Sequence, residues 1–189
     1  MYNLLYKYLL ERTAINTDSF NRLTQYFTIV KYKKNEQILR PGDICRNNYF
    51  VNAGCLRFYT TNKEGYELTR YFAFEGKFGT ALTSFIEQKP SFEYIQCLES
   101  SELLVISHQD FFNLVNTVPE MNFLYRNILE MAYVTTQRRI YGLQGETALE
   151  RLRWLMNYQP DIFKRASSRV IATYLGITTY TLSRLKAEL

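Results

Sequence analysis

The sequence predicts an α+β chain, a β-rich body between helical ends, on three observations. Residues 27–107 break into short runs rich in Val, Ile, Tyr, Phe and Thr, separated by turn clusters. On either side of them, apolar residues recur at helical intervals. The segment Ser168–Lys186, SRVIATYLGITTYTLSRLK, has the spacing of a helix-turn-helix. At 189 residues the chain can bury a real core in one or two domains.

Leu4, Leu5, Tyr8 and Leu9 give residues 3–12 a helical period, and Thr17-Asp18-Ser19 offers caps for a second helix to about Tyr26. The β region is punctuated by Pro41-Gly42-Asp43, Asn52-Ala53-Gly54, Asn62-Lys63-Glu64-Gly65 and Glu75-Gly76-Lys77. That rhythm predicts an antiparallel sandwich or barrel, with a hairpin turn at Asn62–Gly65. Residues 92–97 and 102–107 predict two further strands. Ser107 then caps a helix from near Gln109, and Pro119 either ends or bends it or sits in the first turn of the next. Residues 121–141 predict a long helix, ~30 Å for ~20 residues. Its broad apolar stripe suits both packing on the β body and pairing with a twin helix. Gly142 and Gly145 are expected to form a hinge before another amphipathic helix carrying Leu149, Leu152, Leu155 and Met156.

Composition narrows the function. Residues 1–137 carry 14 basic and 14 acidic side chains, whereas 138–189 carry nine basic and four acidic, so the whole +5 excess is C-terminal. A local positive excess attracts phosphate. Cys45, Cys55 and Cys97 lie far apart with no CxxC pair, so neither a metal nor a cofactor is expected, and buried free thiols of a cytoplasmic protein are. The single His108, at a helix start, is read as structural or solvated. With one His, no P-loop and no dinucleotide glycine motif, the chain is not expected to be an enzyme. No apolar run reaches membrane-spanning length, and MYNLLYKYLLERT reads as an amphipathic helix rather than a signal peptide.

The RPGD turn at 40–43, VNAGCLRFY at 51–59, the Gly65 turn, FEGKFG at 74–79 and ATYLGITTYTLSRLK at 172–186 appear in one order. In that order they resemble the Crp/Fnr family of bacterial transcription regulators, over nearly the whole chain. The resemblance implies a double-stranded β-helix (a cyclic-nucleotide-binding-type β-roll) in residues 1–107, a dimerisation helix in 108–142 and a winged helix-turn-helix in 143–189. It implies a homodimer on double-stranded DNA, with RNA polymerase a further partner of an activator. The wing is expected around Lys164–Ala166 and to be minimal, the chain ending at Leu189 just past the second helix of the motif.

Cyclic-nucleotide binders of this family open a phosphate cassette with Gly-Glu and close it with Arg followed by Ser or Thr, because a buried phosphate needs a charge-assisted partner. Alignment on Phe85 puts Thr80-Ala81 and Ser91-Phe92 at those places. Both key side chains are missing, so cyclic AMP is not expected to bind in the usual way. The effector pocket, if used for another ligand, is expected at Gly79, Thr80, Ala81, Leu82, Ser91 and Phe92. The iron–sulfur members of the family use four cysteines, and this chain has three.

In the C-terminal motif, Ser167 or Ser168 is expected to cap the first helix, Gly176 to make the turn and Thr178 to cap the second over Thr179–Glu188. Leu182 and Leu185 point inward, leaving Thr179, Tyr180, Ser183, Arg184 and Lys186 outside. By resemblance, Arg184 is the strongest base contact, and Arg pairs bidentately with guanine. Thr179-Tyr180 stand where the best-known family reader has Arg-Glu, so a different target is implied. Arg169, Thr178 and Lys186 are assigned to phosphates. The competing reading is a β-roll sensor acting mainly through protein contacts or an unidentified small effector, against which the C-terminal basic excess weighs.

Overall fold

The computed structural model describes residues 1–188. Two short helices, α1 (Asn3–Leu10) and α2 (Thr17–Thr24), precede eight strands: β1 (Thr28–Tyr32), β2 (Gln37–Leu39), β3 (Asn47–Ala53), β4 (Leu56–Thr61), β5 (Glu67–Ala73), β6 (Phe78–Gly79), β7 (Tyr94–Cys97) and β8 (Ser101–Ser107). Helix α3 (Leu82–Glu87) lies between β6 and β7, and α4 (His108–Thr117), α5 (Pro119–Gly145), α6 (Ala148–Tyr158), α7 (Ile162–Arg165), α8 (Ser168–Leu175) and α9 (Thr179–Ala187) follow.

The strands form two four-stranded sheets, ordered β1-β8-β3-β6 and β2-β7-β4-β5. Successive strands change sheet at every step except β4 to β5 and so wind as a roll rather than a meander. Pairing is antiparallel, with Thr28 opposite Val105 and Tyr49 opposite both Val105 and Gly79. The chain makes two compact units, one of Met1–Phe58 with Phe72–Glu130, the other of Tyr59–Tyr71 with the chain from Met131 onward.

The core of the first unit includes Phe50, Phe58, Phe72, Phe85, Leu103, Leu104 and Ile106, all fully buried. Each such side chain contributes about 1.5–3 kcal/mol on leaving water. Leu5 and Leu9 of α1 are buried as well, and Tyr8 sets its ring edge against Phe50 and Phe78, with centroids 5.6 and 5.7 Å away. Asn16 caps α2 by accepting from the Ser19 N–H, and Ser107 caps α4 by accepting from the Asp110 N–H. His108 is half-buried. Its ring lies between Phe85 and Phe112, with centroids 5.2 and 4.8 Å away.

In the second unit the β4–β5 turn forms as its sequence requires. The Asn62 side-chain oxygen accepts from the N–H groups of Glu64 and Tyr66, and Gly65 takes φ +81°. Three arginines knit the unit together. Arg139 donates to the carbonyls of Arg70, Thr69 and Tyr174 and lies 3.9 Å from the centre of the Tyr174 ring. Thr69 and Thr173 share a hydroxyl hydrogen bond of 2.6 Å beside it. Arg151 donates to the Leu175 and Glu146 carbonyls at 3.0 and 2.6 Å, and Arg138 pairs with Glu146 and lies over Trp154. Burial holds the Tyr174 hydroxyl up at about 12, so it stays neutral.

Three expectations need correction. Pro119 opens α5, as one alternative had it, but α5 runs through Gly142 to Gly145, so there is no hinge at Gly142. The Glu146 N–H donates to the Gly142 carbonyl, and the Thr147–Glu150 capping box then starts α6. The strand expected over 92–97 begins only at Tyr94, because the Ser91 hydroxyl and the Glu93 backbone bond each other. The wing segment Lys164–Ala166 is the end of α7 and its C-cap, and no strand occurs among the described residues after Ser107.

Candidate nucleic-acid interface

Helix α8 is capped by Ser167, whose hydroxyl accepts from the Val170 N–H at 3.3 Å. It ends at Gly176, which adopts φ +67°, a left-handed conformation that a side chain would strain. The N–H groups of Gly176 and Ile177 both return to the Ala172 carbonyl and close the turn tightly. That turn brings Thr178 into place, and its hydroxyl accepts from the Thr181 N–H at 3.1 Å to start α9. Ile171, Ala172, Leu175, Leu182 and Leu185 are buried where the two helices meet, and Ala172 allows the close approach.

At 3.6 residues per turn, Leu182 and Leu185 fix the inward side of α9. Tyr180 lies almost opposite, flanked by Thr179, Ser183 and Arg184, and all four are exposed. Arg184 makes only a 3.8 Å ion pair with Glu188, with both side chains more than half exposed. Such a pair contributes little and leaves the guanidinium available. Arg169 is exposed in the first turn of α8. Two assigned residues also make contacts within the unit. The Thr178 hydroxyl serves the cap, and Lys186 lies to the side, its ammonium 5.1 Å from the centre of the Phe163 ring. The outward patch also includes Ala187, which the sequence reading left out.

Charge is distributed less simply than the composition implies. Arg138, Arg139 and Arg151 turn to internal partners, so a third of the nine C-terminal cations are not offered to phosphate. No sequence signal marks Arg139 or Arg151, because their acceptors are backbone carbonyls, several of them distant in sequence.

The residues assigned to an effector pocket are mostly committed to the fold. A Cβ on Gly79 would stand 2.7 Å from the Phe58 ring, so aromatic core fills that space. The Thr80 hydroxyl donates to the Asn47 carbonyl at 2.9 Å and meets the Cys45 thiol at 3.2 Å. Ala81 is buried at the start of α3, and Leu82 is half-buried behind it. Ser91 is locked to the Pro41-Gly42-Asp43 turn: its carbonyl accepts from the Gly42 N–H and its N–H donates to the Asp43 carbonyl, both at 2.8 Å. Phe92 points outward, 59% exposed. Of the cations here, Lys89 is exposed and pairs with Glu87 at 3.4 Å. Arg57 and Glu93 are the charged side chains buried among the described residues, one of each sign, so the interior presents no excess cation. None of the six residues assigned to the pocket carries a positive charge. The three thiols are fully buried, and burial pushes that of Cys97 up to about 11, away from thiolate chemistry.

Residues 29–118 match the family model for the cyclic nucleotide-binding domain. The chain is 27% identical over 186 residues to the fumarate and nitrate reduction regulatory protein of Vibrio cholerae, covering 91% of this chain and 73% of that one. Among solved structures, it resembles the c-di-GMP-responsive global regulator CLP of Xanthomonas campestris, with TM-score 0.71, 19% identity, and coverage of 92% and 91% of the two chains. It also resembles FixK2 of Bradyrhizobium japonicum, with TM-score 0.73, 19% identity, and coverage of 86% and 84%. No helix among the described residues is long and apolar enough to cross a membrane. Similarity to a named regulator over nine-tenths of the chain, carried on a β-roll, a long helix and a C-terminal helix-turn-helix, places this chain with the DNA-binding transcription regulators of the Crp/Fnr type.

Proposed function

We propose that the chain acts as a homodimer reading a pseudo-palindromic operator, with one α9 in each of two major grooves about 34 Å apart. The supporting observation is the outward patch of Thr179, Tyr180, Ser183 and Arg184 on a helix anchored by Leu182 and Leu185. Residues 143–189 serve as reader, 108–142 as dimerisation segment and 1–107 as the controlling roll. Thr178 contributes by fixing the start of α9, and Lys186 and Arg169 flank the patch toward the phosphates. The protein works by binding, not catalysis, and in the cytoplasm, where its DNA lies.

Dimerisation falls to α5. Phe123, Asn127, Met131, Val134, Arg138 and Tyr141 share one helical face, and Met131, Val134 and Tyr141 are 58%, 66% and 64% exposed in the single chain. Spacing of three and four residues suits a helix-to-helix seam.

The test of the reader is Arg184→Ala in a shift assay. It is expected to cost about 1–3 kcal/mol at the specific site and to relax base preference there. Unchanged discrimination would contradict the assignment. The roll is not controlled by cyclic AMP in the usual way. Titration calorimetry with cyclic AMP and with cyclic GMP is expected to show no micromolar binding, and such binding of either overturns that part of the reading.

A further inference from the structure

We propose that Tyr180 is a specificity-determining residue that selects a thymine in each half-site through its C5-methyl group, within about two base steps of the guanine taken by Arg184. The inference rests on α9 being the reading helix. Tyr180 is 78% exposed, the most exposed large apolar side chain among the described residues after Met1. Among the described residues its ring makes no aromatic contact and its hydroxyl makes no hydrogen bond. It stands in the first turn of α9, almost opposite the buried Leu182 and Leu185, where the docking geometry brings side chains deepest toward base edges. Its neighbours Thr179 and Ser183 are small and leave the ring unshielded.

The chemistry of the groove then limits what the ring can recognise. The C5-methyl of thymine is the apolar feature that base edges present in the major groove. From Ser168 to Ala187 there is no Asp, Glu, Asn or Gln. The helix therefore lacks the carboxylate that accepts from cytosine and the amide that pairs bidentately with adenine. What remains on the outward face is a guanidinium at 184, an aromatic ring at 180 and the hydroxyls of Thr179 and Ser183, which pair with any base and discriminate little. Four residues rise about 6 Å along the helix, a little under two base steps of 3.4 Å. A thymine and a guanine at that separation are the pair these two side chains can read together.

The test uses the full-length protein and an operator selected by it from random duplex DNA. Each thymine near the conserved guanine is replaced in turn by deoxyuridine, which removes only the methyl group. At one thymine per half-site the replacement is expected to weaken wild-type binding about fourfold. Tyr180→Phe should keep that sensitivity, and Tyr180→Ala should lose it while retaining the guanine preference. If Tyr180→Ala discriminates thymine from uracil as well as wild type does, or if no thymine within two steps of the guanine matters, the inference is overturned alone. If wild-type protein selects no sequence at all, the reading of α9 falls with it.

Discussion

Replacing Met131 and Val134 together by glutamate is expected to turn the protein into a folded monomer with at least a hundredfold weaker operator binding. Both side chains are largely exposed in the single chain, so the intrachain fold should keep its stability to within about 0.5 kcal/mol. In the dimer the change is severe. Each apolar side chain removed from the seam forfeits about 1.5–3 kcal/mol of burial, and two carboxylates from each protomer would face each other in its place. A monomer engages one half-site and loses the avidity of linked sites, which is on the order of 10²–10⁴. Sedimentation at micromolar concentration reads the mass, circular dichroism reads the fold, and a shift assay reads the affinity. A double variant that remains dimeric would place the interface elsewhere than on this face of α5.

Arg139→Ala is expected to destabilise the C-terminal unit by about 2–4 kcal/mol, the loss of charge-assisted hydrogen bonds. Arg139 is half-buried, and its guanidinium is satisfied by three backbone carbonyls and the face of Tyr174, with burial lowering its pKa. Truncation strands those carbonyls together and opens a gap beside Tyr174. Arg139→Lys should recover little, because a compact ammonium cannot span several acceptors as a planar fork does. The reading patch is untouched, so the sequence preference of the remaining binding should be unchanged while its extent falls. Chemical denaturation measures the first effect, and binding to a set of single-base operator variants measures the second. Unaltered stability would mean that the arginine is a surface group and that the hairpin contact carries no energy.

The fold was legible because its signals are local. Turn clusters at Pro41–Asp43 and Asn62–Gly65, the caps Ser107, Ser167 and Thr178, and Gly176 at a positive φ each act within a few residues. The outward face of α9 was legible for the same reason, since Leu182 and Leu185 fix it by periodicity. The misreadings came from competing possibilities that periodicity does not rank. Glycine at 142 is tolerated inside α5, where the helix continues and Arg138 and Glu146 close over it, so composition alone suggested a hinge too early. The segment 164–166 has no β-branched residue to favour a strand, and it completes a short helix behind Asp161. The internal use of Arg138, Arg139 and Arg151 depends on contacts that one-dimensional charge counting cannot see.

The central claim is that α9 reads specific base pairs in a dimeric complex. Selection of bound DNA from a random duplex pool by the full-length protein, repeated with Arg184→Ala, measures it directly. The account predicts enrichment of an inverted repeat whose half-sites lie about 10 base pairs apart, centre to centre, with a guanine in each that is no longer favoured by the variant. Enrichment of no sequence, with binding that depends on salt alone, or of a repeat that Arg184→Ala selects unchanged, would contradict it.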